Sequence, residues 1–293
     1  MPARLCKAIL AAVALLGVAA SAHAAANLDT TPAKELFGAV SRPAAVKPAV
    51  VGTYAKGCIA GAVALPVDGE AWQAMRLSRN RNWGHPDLVA FLERLARDVR
   101  RLDSWPGLLV GDMAQPRGGP MRTGHASHQI GLDADLWLTP MPDRKLSRDE
   151  RESMSAISML ADGTRHVDPR KFTEAQARVI RRAAKGAEVE RIFVHPGIKQ
   201  ALCLWAGEDR AWLSKVRPWW GHDAHFHVRL SCPAGQPLCR DQDPVPAGDG
   251  CDKELDWWLS DEPWKPAKPP AKPPKPMLLT ELPAECRVVL QAR

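Results

Sequence analysis

Residues 132–138 read LDADLWL, and this short stretch limits what the chain can become. Its alternation puts Leu132, Ala134, Leu136 and Leu138 on one face of an extended segment and Asp133, Asp135 and Trp137 on the other, because successive strand side chains point to opposite sides. Aspartate is disfavoured in strands, and burying a carboxylate without a partner is costly. Two of them on one strand face therefore ask for a cation or strong donors beside them. His128 precedes the turn at Gly131 and is placed for its ring to return to that face. A second alternating stretch, HDAHFHVRL at 222–230, sets His225 and His227 on one face and Phe226 and Val228 on the other.

If His227 joins His128 and Asp135, two nitrogens and one carboxylate oxygen meet. That is the three-ligand pattern of catalytic zinc, whose fourth position holds water. Singly these signals are weak, since an isolated H-x-H is more often a polar strand face. Together they point to a zinc hydrolase, because the chain offers no G-x-S-x-G, no S-x-x-K and no catalytic-cysteine context.

The first residues, MPARLCKAILAAVALLGVAASAHAAA, combine a basic start at Arg4 and Lys7, an apolar run and the small-x-small site Ala22-His23-Ala24. This reads as a secretory signal peptide covering 1–24. No later stretch approaches the roughly 20 apolar residues of a membrane span, so no stable membrane insertion is expected. The formal charge of +7 becomes +7 − 2 = +5 once Arg4 and Lys7 are removed, a mild excess without a nucleic-acid-binding motif. Removing Cys6 leaves Cys58, Cys203, Cys232, Cys239, Cys251 and Cys286, an even set in an exported chain. Disulfides are the default there, with fifteen pairings open, and no close C-x-x-C pair supports a cysteine metal site.

The remainder divides into a body at 25–262 and a proline-rich strap at 263–293, PWKPAKPPAKPPKP and beyond, which leads to Cys286. Pro86 at a helix start, followed by Leu88, Phe91, Leu92, Leu95 and Val99 at helical spacing, predicts a helix over 86–102. Thr173 with Gln176 forms a capping box for a second helix. RIFVH reads as a buried strand, and GIKQALCLWAG as a shorter helix. The pattern predicts an α+β fold: a small antiparallel sheet carrying the zinc site, flanked by helices and stapled by disulfides. His85 suits a helix start as well as a substrate contact, and His195 reads as structural. Trp220, two residues before His222, is the best candidate for a wall of the cleft. Asp133 is placed to hydrogen-bond a ligand histidine.

At these residues the chain resembles the penicillin-insensitive murein endopeptidases, within the wider group of lysostaphin-like, D-Ala-D-Ala and hedgehog-type zinc peptidases. The matching segments are GCIAGA, GHPDLV, GDM, GHASHQIGLDAD, RIFV with IKQALC, KVRPWW, HVRL and GDGC, which span nearly the whole mature chain. The resemblance implies that His128, Asp135 and His227 hold a catalytic Zn2+, that His225 acts as general base or transition-state stabiliser, and that His222 is a further active-site histidine. It also implies a second zinc at a homodimer contact, using His125 with Asp162 and His166, although DGTRH is one residue longer than the family's Asp-Gly-x-His. The implied disulfides are Cys58–Cys286, Cys203–Cys251 and Cys232–Cys239. The implied activity is hydrolysis of D-alanyl peptide cross-links in periplasmic peptidoglycan by zinc-activated water, insensitive to β-lactams because no acyl-enzyme forms. A zinc D-Ala-D-Ala carboxypeptidase and a non-catalytic zinc- or peptidoglycan-binding protein are the alternatives.

Overall fold

The computed structural model describes residues 28–269 and 275–293. The expected signal peptide, with Cys6, and residues 270–274 of the proline-rich stretch lie outside the described residues. In chain order the helices are α1 (Ala33–Gly38), α2 (Pro86–Leu102), α3 (Arg148–Ser153), α4 (Glu174–Ala184), α5 (Pro196–Trp205), α6 (Lys253–Leu259) and α7 (Glu285–Gln291). The strands are β1 (Ala49–Thr53), β2 (Lys56–Ala60), β3 (Val63–Ala64), β4 (Trp72–Ala74), β5 (Trp83–Gly84), β6 (Leu108–Val110), β7 (Asp133–Trp137), β8 (Val189–Val194), β9 (Val216–Pro218) and β10 (His225–Leu230).

Six strands form the main sheet in the order β4-β6-β7-β10-β8-β9. Its centre, from β6 to β8, is antiparallel, but the outer pairs β4–β6 and β8–β9 are parallel. The sheet is therefore larger than the small antiparallel one the sequence predicts, and mixed. The reason lies in the connections: α2 intervenes between β4 and β6, and α5 between β8 and β9. A parallel neighbour needs such a helical crossover, so each sheet edge is a strand-helix-strand unit.

The helices cover one face. Leu88, Phe91, Leu92, Leu95 and Val99 of α2 join one continuous core with Ala134, Leu136, Phe226, Val228, Ile192 and Val194 of the strands. Burying each larger side chain in that layer contributes about 2 kcal/mol. The spacing predicted for α2 holds to the residue. Both main crossover helices start the same way: His85 and His195 cap α2 and α5, each Nδ1 accepting a backbone N–H two residues on, with proline at the first helical position. Both rings are buried, which holds each imidazole below its usual pKa and suits an Nδ1 acceptor. His85 and His195 are thus helix caps.

Three disulfides, Cys58–Cys286, Cys203–Cys251 and Cys232–Cys239, join the pairs that the resemblance implies. The first ties α7 to β2, and Arg117 supports it by donating to the carbonyls of Val289 and Leu290. A second small core gathers there around Phe37, Val51, Leu279 and Val289. Among the described residues no helix is long and apolar enough to cross a membrane.

One buried cation had no signal in the sequence. Arg151, 2% exposed, donates to the carbonyls of Leu146, Val67 and Ala74 and to Gln73 Oε1, and pairs with Asp68. It anchors α3 to β4 and so fixes the segment leading to Arg76. Replacing it by leucine leaves these acceptors unpaired inside the protein, so Arg151→Leu should lower unfolding free energy by about 3 kcal/mol or more. Urea unfolding of the two proteins measures this; a difference below about 0.5 kcal/mol, the range of neutral surface changes, would contradict it.

Candidate metal centre

The site lies on the sheet face opposite the helices, and strand register builds it. On the antiparallel pair β7–β10, His225 lies across from Trp137, His227 from Asp135 and Arg229 from Asp133. Directly paired residues share a face, so the polar side of LDADLWL meets the polar side of HFHVRL. On the other side of β10, β8 adds Phe193 opposite His227.

His128 arrives from the preceding loop. It has φ 65°, an uncommon backbone for histidine, and its N–H donates to Asp133 Oδ2 at 2.9 Å. The return is made at Gly131, φ 72°, where a Cβ would stand 2.7 Å from Ile59 Cδ1. Only glycine accommodates that turn against β2.

Three donor atoms converge. His128 Nε2 is 3.4 Å and His227 Nδ1 3.2 Å from Asp135 Oδ1. His128 is fully buried, yet neither of its ring nitrogens has a hydrogen-bond partner, and Asp135 Oδ1 has none either. Buried polar atoms left so are rare and costly. A cation bonded to them satisfies this donor set, and two imidazoles with a carboxylate suit zinc. The residues present therefore fit the metal that the sequence suggests.

Asp133 is the brace behind this group. Its Oδ1 accepts from Arg229 Nε at 2.7 Å and lies 2.9 Å from His227 Nε2. Burial pushes its carboxyl pKa up, but Arg229 and His227 outweigh that and hold it ionised. Behind Arg229 stands Tyr54, the single tyrosine, with the guanidinium 4.1 Å from its ring centroid. The Tyr54 hydroxyl lies 2.7 Å from the Leu230 carbonyl and 2.8 Å from Glu190 Oε2. Asp135 behaves similarly to Asp133: burial opposes its charge, and the neighbouring His128 and His225 more than offset it. For His227, burial disfavours the cation, but Asp133 and Asp135 raise its pKa on balance.

The other histidines ring the group. His225 Nε2 lies 3.7 Å from Asp135 Oδ1 and is partly exposed, with a pKa lowered by burial. His222 has φ 44°, and its Nδ1 lies 2.7 Å from the Trp220 carbonyl; burial first, then His225 and His227, push its pKa down to about 3. Trp220 and Trp219 wall a cavity of about 360 Å³ that also reaches His222 and His227. Trp220 Nε1 donates to the Pro263 carbonyl at 2.9 Å, so the first residue of the proline-rich strap backs the cleft wall.

His125 faces this centre. His125, His128 and Asp135 themselves form a group of possible metal ligands with donor atoms all within 4.8 Å of one another, and His125 Nε2 is 3.0 Å from Asp112 Oδ2 and 3.5 Å from Asp135 Oδ2. Asp112, pulled down to about 2 against its burial by His125, Arg81 and Arg79, accepts from both arginines at 2.8 and 2.9 Å. Asp162 and His166 stand elsewhere in the chain: the Asp162 side chain is fully exposed near Lys171, and His166 Nδ1 meets Gln200 Oε1 at 2.9 Å. Asp112 and Arg229 had no role assigned from the sequence. Arg229 was legible as the next residue after His225 and His227 on the same strand face; Asp112, in a short loop after β6, carried no such periodic signal.

A family model described as penicillin-insensitive murein endopeptidase matches residues 50–291. Proteins of that name are similar along most of the chain. One from Haemophilus influenzae is 46% identical over 242 residues, covering 80% of this chain and 82% of its own. One from Klebsiella pneumoniae is 42% identical over 278 residues, covering 95% and 96%. One from Escherichia coli O1:K1 is 42% identical over 281 residues, covering 95% and 97%. With matches of this length and identity, the chain belongs to the penicillin-insensitive murein endopeptidase family.

Proposed function

We propose that this protein is a periplasmic zinc endopeptidase that hydrolyses D-alanyl peptide cross-links in peptidoglycan. Family membership supports the substrate and reaction, and the leading segment supports export. The observation that carries the zinc reading is the convergence of His128 Nε2, His227 Nδ1 and the unpartnered Asp135 Oδ1 in a buried position.

His227 is preferred to His125 as the third ligand because of what its other nitrogen does. Nε2 is engaged by Asp133, which fixes the tautomer and leaves the Nδ1 lone pair toward Asp135, the usual arrangement for a metal-binding histidine. His125 Nε2 lies 3.5 Å from Asp135 Oδ2 but is closer to Asp112, at 3.0 Å. A second metal that used His125 with Asp162 and His166 at a homodimer contact rests on the resemblance alone.

His128, Asp135 and His227 would hold the zinc, which would supply Lewis-acid chemistry toward water and the scissile carbonyl. His225, kept neutral by burial, takes a proton from the attacking water and hands it to the departing amine. His222, anchored to the Trp220 carbonyl, presents its other nitrogen toward the cleft as a neutral hydrogen-bonding group. Asp133 and Arg229 hold His227 in orientation. The proton route involves histidines and no serine acyl-enzyme, which accounts for insensitivity to β-lactams.

Purified cross-linked muropeptide dimers should be cleaved by the zinc-loaded protein, equally with and without a β-lactam, and spared after a chelator. Cleavage that persists after full metal removal would contradict the zinc reading, and trimming of monomeric pentapeptide in place of dimers would favour a carboxypeptidase. Two substitutions separate binding from chemistry. Asp133→Asn should weaken zinc binding roughly 10- to 100-fold in a chelator competition, since the ligand loses its orienting partner. His225→Ala should retain zinc and lose on the order of 100-fold or more in kcat; unchanged turnover would point to a non-catalytic binding protein.

A further inference from the structure

The cleft has two arms. On the aromatic side lie Phe193, Trp219, Trp220 and His222, with Arg191 and Arg229. On the other, a cavity of about 320 Å³ is lined by Arg76, Arg79, Trp137 and His225, with Asp112 and Asp135. His125 borders both. The second arm sets two guanidiniums against two carboxylates. Arg79 gives Nη1 to Asp112 at 2.9 Å, and its side chain stays 47% exposed. Arg76 gives Nη2 to the Met154 carbonyl at 2.6 Å, with its guanidinium 5.8 Å from the Trp137 ring. Among the described residues these are the only side-chain hydrogen bonds of the two groups, and a guanidinium has five N–H donors. The acidic residues in this arm are already engaged: Asp112 by Arg79, Arg81 and His125, and Asp135 by the metal triad. Unspent guanidinium N–H donors are therefore left in the lining of this cavity.

We propose that Arg76 and Arg79 form an anion subsite that binds a free carboxylate of the substrate peptide beside the departing amine. This rests on the endopeptidase reading above. The side is set by His225, which lines the arm of Arg76 and Arg79 and not the aromatic one. A group that protonates the departing nitrogen must face it, so the amine-bearing half of the cross-link occupies that arm. A cross-link through the side-chain amine of a diamino acid leaves that residue's own carboxylate a few bonds from the scissile nitrogen. The fork of an arginine suits such a carboxylate, and binding it there would fix the amine against His225.

The test uses the zinc-loaded full chain and two cross-linked dimers that differ only in that carboxylate, free in one and amidated in the other. Wild type should prefer the free carboxylate by about tenfold in kcat/KM, chiefly through KM, as expected for a charge-assisted contact. Arg79→Gln and Arg76→Gln should each bring that preference toward unity by losing rate on the free-carboxylate dimer, with zinc content maintained, and Arg79→Lys should restore part of it. Equal cleavage of both dimers by wild type would overturn the subsite while leaving the endopeptidase reading intact. So would Gln variants that slow both dimers by one common factor, because a mere brace for Asp112 would act that way. Wild-type failure on both dimers would overturn the endopeptidase reading and the subsite with it.

Discussion

The carboxylate of Asp133 accepts from Arg229 and from the His128 backbone N–H and engages His227 Nε2, all in a fully buried position. Those contacts come from two strands and a loop, so this group sets where three separate segments meet. An ionised aspartate here would cost several kcal/mol without such partners. With them, it fixes the ring of His227 and the strained backbone of His128 at once, and leaves Nδ1 of one and Nε2 of the other aimed at Asp135. Tyr54, from the β1–β2 hairpin, completes the brace by covering Arg229. The geometry of the candidate metal site is in this sense a consequence of a buried charge network that forms with the sheet.

Much of this was legible in the sequence because strand alternation is a strict period of two. LDADLWL and HFHVRL each assign their own polar face, and once the two strands pair, the register joins those faces without further choice. Asp133 as a partner for a ligand histidine follows from the same alternation. The helix at 86–102 was legible from its spacing and its proline. What was not legible depends on contacts between distant segments. The parallel edges of the sheet require knowing that α2 and α5 cross over, and Arg151 finds acceptors at Val67 and Ala74, 84 and 77 positions away. His125 shows the limit most clearly. Its neighbour in space, Asp112, lies in a loop with no periodic pattern, so the sequence could not show which carboxylate it meets.

The two arms of the cleft give the central group a direction. One arm has an aromatic wall backed by the start of the proline-rich segment, and the other sets Arg76 and Arg79 beside Asp112 and Asp135. A symmetric pocket would leave the polarity of a bound peptide undetermined. Here His222 lines one arm and His225 the other, the asymmetry on which the proposed placing of the amine half rests.

A crystal of the zinc-loaded protein, with anomalous differences measured at the zinc edge, tests the central assignment most directly. The expected result is a peak bonded to His128 Nε2, Asp135 and His227 Nδ1 at about 2.0–2.2 Å, with Asp133 still on His227 Nε2 and His125 still on Asp112. A peak held by His125 and Asp112, with His227 outside its reach, would contradict it.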